Sequence, residues 1–553
     1  MLAGCTPWPE EFAARYRALG YWEDRTIAET LSLSIEKYAS KTAVVYQDQR
    51  ITYAELGIFI DRLAYHFLRI GLKPLDRVVV QIPNSPEFVY TYFALVKIGV
   101  IPVLALPPHR QLEISHFVER SGAVAYFAQS FFNKFDFAAM AREIQAQQPH
   151  LKYVFLNGEA PAPFISIRDL LTESVEVEDV RETLAKYRPD PGEVAIMLLS
   201  GGTTALPKLI PRTHNDYVYT SKQAGRISNI SEDTVFLVSL PMAHNYNLAC
   251  PGIQSVLFNG GRVVISPSTD TDTIFSLVEK EKVTITPAAI PLVYNWLNSD
   301  IPEKYDFSSL EVIQCGGSKL APELRKQLRE KFNCIHQENF GTGEGLVNLV
   351  RLDAPLEIQL HSSGKPISEA DEIKIIDDNG NEVPIGTPGE LVVRGPYTFK
   401  GYYNAPEINA KAFTPDGFYR MGDECRIDND NYIYCEGRKK DLINRGGEKI
   451  SCEEIENLIL TLPKVKSVSL VAMPDEVYGE KACAFVILKP GETLTFEELT
   501  QYLISTNIAK FKLPERLEIV EEFPISPAGK ILKRTLREMV TQKLEQEKGK
   551  SAI

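Results

Sequence analysis

Ser200-Gly201-Gly202-Thr203-Thr204-Ala205-Leu206-Pro207-Lys208 packs glycines, hydroxyls and one lysine into a single short stretch. Glycine lets backbone N–H groups approach a ligand closely, and hydroxyls add short donors. With a lysine as the cation, the composition is that of a phosphate cradle. It departs from the common P-loop, in which Gly-Lys-Ser/Thr runs into a helix. Here Lys208 is followed by Leu209-Ile210-Pro211, and a proline there opposes a helix. The pattern predicts a strand–loop–strand grip on the outer phosphates of a nucleotide. The plainer alternative is a polar surface hairpin.

Further stretches carry chemistry of the same kind. Leu240-Pro241-Met242-Ala243-His244-Asn245-Tyr246-Asn247-Leu248-Ala249-Cys250-Pro251-Gly252 brackets His, Asn and Tyr between prolines. It follows a predicted strand, Val235 to Ser239, and loops at the carboxyl ends of strands are where α/β folds place ligands. His244 taken alone reads as an ordinary satisfied histidine. Val312 to Ser318 is a strand ending in Gly316-Gly317, and Phe340-Gly341-Thr342-Gly343-Glu344-Gly345 sets one acid among glycines. Glu344 could hold Mg²⁺ through one oxygen, the usual arrangement beside phosphates. Asp423 is expected in a tight Gly-Asp turn, where a carboxylate can accept two hydrogen bonds from a vicinal diol such as a ribose. Lys530 follows a Pro-Ala-Gly turn; on its own it is an ordinary solvated lysine.

The elements that must position these groups alternate in type. Thr52-x-x-Glu55 is a capping-box pattern that opens a helix running to about Ile70. Strands are expected at Arg77–Gln81, Ile101–Ala105, Ala123–Tyr126, Tyr153–Phe155 and Val194–Leu199, with a helix from Pro86 to Ile98. This is the α/β pattern. From 390 to 437 the chain turns β-rich. Glu436-Gly437-Arg438-Lys439-Lys440-Asp441 reads as a domain boundary and hinge. The last ~100 residues read as helix, strand, strand, helix, strand, a small α+β domain, with a polar frayed tail from Gln542.

Composition bounds the function. The chain has 553 residues, 44% hydrophobic and 24% charged, enough for several domains with ordinary soluble cores. A formal net charge of −13 makes nucleic acid a poor partner. No run approaches ~18 apolar residues, so no membrane span is expected. The acid-bearing N-terminus has no apolar core, so no signal peptide is expected. The 8 cysteines form no C-x-x-C and no zinc spacing, which points to reduced thiols in a cytoplasmic protein.

Taken together, the motifs resemble the adenylate-forming superfamily of acyl-CoA synthetases, firefly luciferase and nonribosomal-peptide adenylation domains. SGGTTALPK is similar to its phosphate loop, FGTGEG to its adenine and Mg²⁺ motif, and YRMGD to its ribose motif. GRKKDLINRGGEKI is similar to its hinge and following loop, and PAGK to its catalytic-lysine motif. PMAHNYNLACPG, GEGLVN and TPWPEEFAARYRALGYW resemble the stand-alone aryl-acid ligases of siderophore synthesis. Those activate 2,3-dihydroxybenzoate or salicylate and load it on a separate aryl carrier protein through its phosphopantetheine.

The resemblance implies an α/β adenylation core over 1–438 with a β-rich subdomain, and a mobile α+β domain over 439–553 hinged at Lys440. It implies ATP and Mg²⁺ as cofactors. ATP would be bound by Ser200, Gly201, Gly202, Thr203, Thr204, Lys208, Gly317, Phe340, Gly341, Thr342, Asp423 and Arg438, with Glu344 on the metal. Lys530, His244 and Lys449 would be catalytic. Lys530 would bridge the substrate carboxylate and the α-phosphate, where charge builds. The small domain would then rotate, withdrawing Lys530 and bringing Gly446 to Lys449 to the site for attack by the thiol. Asn245, Tyr246, Cys250, Gly316 and Val347 would line the aryl pocket. Asn245 would meet the 2-hydroxyl; Cys250 leans to salicylate and Val347 to 2,3-dihydroxybenzoate. Three residues depart from the family pattern: Ala205 for glycine, Met421 for threonine and Phe340 for tyrosine. If position 205 needs φ > 0, alanine costs roughly 1 kcal/mol there. Free CoA as the thiol acceptor, or a catalytically silent nucleotide-binding homologue, are the alternative readings.

Overall fold

The computed structural model describes residues 1–553 except 201–206, 318, 439–440, 446–447, 476, 507, 509, 527–528 and 552–553, and describes no side chains at 438, 448–449 and 548–551. Gly201, Gly202, Thr203, Thr204, Ala205 and Lys440 therefore lie outside the described residues.

The apolar run before the phosphate-loop candidate forms the strand Val194–Leu199, and Leu209–Thr213 returns antiparallel beside it. The two strands expected on either side of the loop are present. Val194–Leu199 also pairs in parallel with Ile101–Leu104, which continues to Arg77–Gln81, Ala125–Gln129, Tyr153–Asn157 and Ile165–Ser166. The resulting seven-stranded sheet is buried at its centre. Val78, Val79, Val80, Ile101 and Val103 are solvent-free, as continuous apolar runs covered on both faces should be.

A nine-stranded sheet holds most of the remaining motif loops. Its parallel core runs Thr42–Tyr46, Arg262–Ile265, Val235–Val238, Ile285–Ala288, Val312–Gly316, Ile335–Thr342. Antiparallel strands close both edges: Gln49–Thr52 at one, Gly345–Leu349 and Lys365–Pro366 at the other. The capping box Thr52/Glu55 starts the helix Tyr53–Ile70, which ends at Gly71 with φ +117. A second box, Thr213/Asp216, starts the helix His214–Ile227 directly from the returning phosphate-loop strand.

The β-rich part is a four-stranded antiparallel sheet of Glu372–Ile376, Gly389–Arg394, Tyr419–Ile427 and Ile433–Arg438. Here the structure corrects one expectation. Asp423 lies inside the strand Tyr419–Ile427, not in a turn. Gly422 takes φ +73 within that strand, which accounts for the turn-like Gly-Asp signal.

The small C-terminal domain follows the expected order. The helix Cys452–Leu460 is followed by the strands Val465–Asp475 and Gly479–Leu488, the helix Phe496–Ser505 and the strand Arg516–Ile519. The frayed tail is a second correction. The chain ends in a helix, Lys533–Ser551. Leu536 and Val540 bury against Val471, Cys483 and Phe485, and Arg516 pairs with Glu547 at 2.7 Å. Two apolar anchors, one turn apart, hold an otherwise polar helix.

One buried cation ties the two large sheets and the phosphate-loop hairpin together. Arg212 Nε meets Asp216 Oδ1 at 2.8 Å, with both side chains nearly solvent-free. The other nitrogens of Arg212 donate to Gly343 O at 2.9 Å, Thr220 Oγ1 at 3.1 Å and Tyr397 O at 3.1 Å. Removing one partner of such a pair strands the other charge, at a cost of ~3–5 kcal/mol, whereas replacing both with apolar groups is often neutral. Arg212→Met should therefore lower the unfolding free energy of the large domain by that amount in urea titration. Arg212→Met/Asp216→Leu should recover most of it. A single variant as stable as the parent would show that Arg212 is not the tie.

Candidate active site

A cleft of about 1670 Å³ opens between the large domain and the C-terminal domain. Ser200 and Lys208 line it from the phosphate-loop hairpin; His244, Asn245, Tyr246 and Cys250 line it from the Pro-bracketed loop. Gly316, Gly317, Phe340, Gly341, Thr342, Glu344, Val347 and Asp423 line it from strand ends, and Lys530 from the C-terminal domain. The fold thus gathers these sequence-separated motifs into one space. Arg438 is brought there by register alone: its backbone pairs with Asp423 across adjacent strands. Lys449 pairs with Asn444 in a hairpin of the C-terminal domain. The side chains of Arg438 and Lys449 lie outside the described residues.

The mouth of the phosphate loop is closed by two hydrogen bonds. Ser200 N–H donates to Lys208 O at 2.9 Å, and Lys208 N–H donates to Ser200 Oγ at 3.0 Å. Lys208 Nζ sits 4.2 Å from the centroid of the Tyr402 ring. The hydroxyl of the same tyrosine donates to Glu344 Oε1 at 2.7 Å. One aromatic side chain therefore spaces a cation from a carboxylate, attracting the first through its ring face and the second through its O–H. Glu344 lines the cleft with Oε1 engaged by Tyr402. One buried, oriented carboxylate oxygen is the donor Mg²⁺ takes when phosphates and water supply the remainder. Among the described residues no group of three or more His, Cys, Asp or Glu could hold a metal.

Lys530 is held to Ser526 by two hydrogen bonds. Its N–H donates to Ser526 Oγ at 3.1 Å, and Ser526 N–H donates back to Lys530 O at 2.7 Å. The side chain crosses to the large domain. A Cβ built on Gly317 would lie 3.5 Å from Lys530 Cε, and Gly317 has φ +85. That separation is ordinary contact, so what glycine supplies here is the left-handed backbone. His244 also feels Lys530. Burial first, and the lysine charge second, hold its imidazole down to about 4. His244 is thus neutral at physiological pH, and its Nδ1 accepts from Tyr246 N–H at 3.2 Å.

The aromatic end of the cleft is built for close approach. A Cβ on Gly316 would stand 3.0 Å from Tyr246 Cε2 and 3.1 Å from Asn339 O, so no larger residue fits between them. Cys250 is buried, and its thiol is pushed up to about 12 by that burial. It receives Asn245 Nδ2–H at 3.4 Å. Val347 is fixed through its backbone: its N–H donates to Tyr397 Oη at 3.1 Å, and Tyr397 O–H donates to Asp371 Oδ2 at 2.5 Å. Met421 is buried within its strand.

Arg212, Tyr217, Tyr397 and Tyr402 escaped the sequence reading. Tyr217 lies in ordinary helical patterning, and Tyr397 and Tyr402 lie in the segment after the strand Gly389–Arg394, outside any of the motifs. Arg212 did leave a signal: an Arg–Asp pair spaced i, i+4 across the capping box that begins at Thr213.

Comparison with known proteins gives the family of the chain. Residues 31–403 match the family described as AMP-binding enzyme, and 454–530 match the AMP-binding enzyme C-terminal domain. A 2,3-dihydroxybenzoate-AMP ligase of Bacillus subtilis is 44% identical, over 98% of this chain and 99% of its own. A salicyl-AMP ligase / salicyl-S-ArCP synthetase of Mycobacterium tuberculosis is 38% identical, over 97% and 94%. The apo structure of Mycobacterium smegmatis MbtA superposes with a TM-score of 0.74 at 38% identity, covering 97% of this chain and 99% of that one.

The neutral His244 has a stability consequence. Its folded-state value of about 4 lies below the ~6.5 of an unfolded histidine. Between those values the unfolded chain binds the extra proton. The contribution is therefore complete above pH 6.5, falls as pH drops toward 4 and is flat below. Compared with His244→Gln, the parent should lose up to about 1.4 kcal/mol per pH unit more across that window. Parallel curves in denaturant titrations from pH 7 to 4 would show that burial does not hold the imidazole neutral.

Proposed function

The chain belongs to the AMP-binding enzyme family and is an adenylate-forming ligase, and on that premise we propose that it activates a 2-hydroxylated aromatic acid, salicylate or 2,3-dihydroxybenzoate, for siderophore assembly. The acid carboxylate attacks the α-phosphate of ATP. The P–O bond to pyrophosphate breaks, leaving aryl-AMP. The thiol of a phosphopantetheinyl carrier protein on a separate chain then attacks the acyl carbon, giving an aryl thioester and AMP.

The observation that carries this reading is the approach of Lys530 to Gly317 and His244 across the domain boundary. A cation at that point meets the negative charge that builds on the α-phosphoryl oxygens. Held to Ser526 by two hydrogen bonds, it stabilises that charge without reorganising in the reaction. The neutral His244 leaves Lys530 as the positive group at this spot. Ser200 and Lys208 are suited to the outer phosphates, Asp423 with Arg438 to the ribose hydroxyls, and Phe340, Gly341 and Thr342 to the base. Mg²⁺ held by Glu344 would neutralise phosphate charge. Lys449 and the hinge at Lys440 belong to the thiol-transfer step, in which the small domain turns. Eight free cysteines fit a reducing, cytoplasmic setting.

Two of the aryl-pocket residues pull in opposite directions on the third ring substituent, Cys250 toward salicylate and Val347 toward 2,3-dihydroxybenzoate. A thiol is a weak partner for a 3-hydroxyl, which favours salicylate. A pocket with no dedicated polar partner rejects an extra hydroxyl by only ~10²-fold, so 2,3-dihydroxybenzoate is a second substrate.

ATP–pyrophosphate exchange with salicylate, 2,3-dihydroxybenzoate, benzoate and 3-hydroxypicolinate tests the substrate class. We expect salicylate first, 2,3-dihydroxybenzoate within ~10²-fold, and benzoate well behind. No exchange with any of them would overturn the reading in favour of a silent homologue or another acid. Lys530→Ala should lower exchange by ~10²–10³-fold, the effect of removing one fixed stabilising group, while leaving thioester formation from supplied aryl-AMP largely intact. Full exchange in that variant would remove Lys530 from the mechanism. Faster turnover with free CoA than with a phosphopantetheinyl aryl carrier protein would replace the carrier as acceptor.

A further inference from the structure

Beneath the aryl end of the cleft lies a hydrogen-bonded chain that no motif announces. Tyr217, on the helix His214–Ile227, is completely buried. Its O–H donates to Asn245 Oδ1 at 2.8 Å, and Asn245 Nδ2–H reaches Cys250 Sγ at 3.4 Å. Asn245 and Cys250 both line the cleft; Tyr217 does not. The Tyr217 ring is held in turn: the Arg212 guanidinium carbon stands 5.0 Å from its centroid, and Arg212 is fixed by Asp216 and two backbone carbonyls.

The chain has a direction. A buried phenol must place its hydrogen on an acceptor, and Asn245 Oδ1 is the acceptor the structure gives it. If the amide were reversed, Nδ2 would face the Tyr217 oxygen and the phenol hydrogen would lose that acceptor. Oδ1 would then face Cys250, whose S–H is a weak donor. The exchange trades a strong hydrogen bond for a weak one and leaves a buried donor unmade. The amide therefore stands with its N–H end toward Cys250 and the pocket. Burial also keeps the Tyr217 phenol far above its ordinary pKa, so it remains a donor at every working pH.

We propose that Tyr217 is a positioning residue that fixes the donor end of Asn245 toward the substrate and so sets the preference for a 2-hydroxy over a 2-amino aromatic acid. The proposal rests on the aryl-acid reading above. In a 2-hydroxybenzoate the phenolic hydrogen bonds to the neighbouring carboxylate, which leaves the oxygen lone pairs pointing outward to accept from Nδ2–H. In 2-aminobenzoate one N–H serves the carboxylate and the second points outward, while the nitrogen lone pair is drawn into the ring. That N–H would meet an N–H. The two acids have nearly the same shape, so size contributes little to the choice. A site built to donate rejects a ligand that cannot accept, because its own donor is left unpaired.

The test is ATP–pyrophosphate exchange with salicylate and 2-aminobenzoate, comparing kcat/KM ratios in the parent, Tyr217→Phe and Asn245→Asp. The parent should prefer salicylate by ~10²-fold or more. Tyr217→Phe removes the donor that sets the amide. The ratio should fall at least about tenfold, through a higher KM for salicylate and a lower KM for 2-aminobenzoate, with kcat for salicylate little changed. Asn245→Asp presents an acceptor whatever its rotation and should shift the ratio toward 2-aminobenzoate. A merely structural role for Tyr217 would weaken both acids together and leave the ratio alone. If Tyr217→Phe fails to fold, Asn245→Asp decides. A parent inactive with both acids would overturn the aryl-acid reading and this proposal with it. An active parent whose ratio survives in the folded variants would overturn the orienting role alone.

Discussion

The Arg212–Asp216 pair is the constraint from which the rest of the site is hung. Its worth lies less in stability, since a buried ion pair seldom exceeds a well-packed apolar alternative, than in the number of separate segments one guanidinium holds. Arg212 belongs to the strand returning from the phosphate loop. It reaches the loop carrying Glu344 through Gly343 O, and the segment carrying Tyr402 through Tyr397 O. These are the parts that would meet polyphosphate in the proposed reaction. The planar fork of Arg, with its several rigid donors, can hold them simultaneously; a lysine could not. The same side chain backs Tyr217 on its other side. The phosphate end and the aryl end of the cleft thus share one support.

The N-terminal segment completes that support from outside. Trp22 Nε1–H donates to Pro396 O at 3.0 Å, and Trp8 meets Trp22 edge to face at 5.0 Å. Lys400 Nζ lies 4.2 Å from the Trp8 ring centroid, and burial brings its ammonium down to about 8. Residues 394–404, which carry Tyr397 and Tyr402, are thereby clasped between an aromatic strap and the buried arginine. The C-terminal domain meets the large domain through both polar and apolar contacts. Lys319 Nζ donates to Cys435 O at 2.8 Å and pairs with Glu453 at 2.5 Å, and Leu460 rests against the apolar cluster around Trp296. Contacts of this kind suit two bodies that can part. Lys530 is mounted on the smaller of the two, which is where the proposed two-step use of a single cleft would need it.

How much of this was legible in the sequence follows from range. Local patterning carried the strands, the capping boxes and the order of the C-terminal domain, because each is decided within a few residues. The glycine-bearing loops were legible because close approach leaves few alternatives to glycine: Gly316 has no space for a Cβ between Tyr246 and Asn339. Asp423 was misread as a turn because its glycine neighbour bends a strand without ending it. The terminal helix was missed because its polar composition conceals the two residues, Leu536 and Val540, that anchor it. The supporting tyrosines were invisible for a different reason. Tyr217, Tyr397 and Tyr402 look like core residues, and they are core residues; what distinguishes them is which polar atom the tertiary fold places opposite each hydroxyl.

That distinction bears on how such a pocket achieves specificity. Its wall offers the ring a set of apolar or weakly polar surfaces, Tyr246, Val347 and a thiol kept protonated by burial. Surfaces of that kind measure size and little else, and discriminate by modest factors. Sharper selection needs a polar group whose orientation is not free. An amide is the least reliable such group when left alone, because its two ends are nearly the same shape and opposite in function. Once a buried phenol claims one end, the other becomes a defined donor. The specificity of the aryl pocket then resides partly in a residue that never touches the substrate, on a helix begun by the same capping box that holds Arg212 and Asp216 in register.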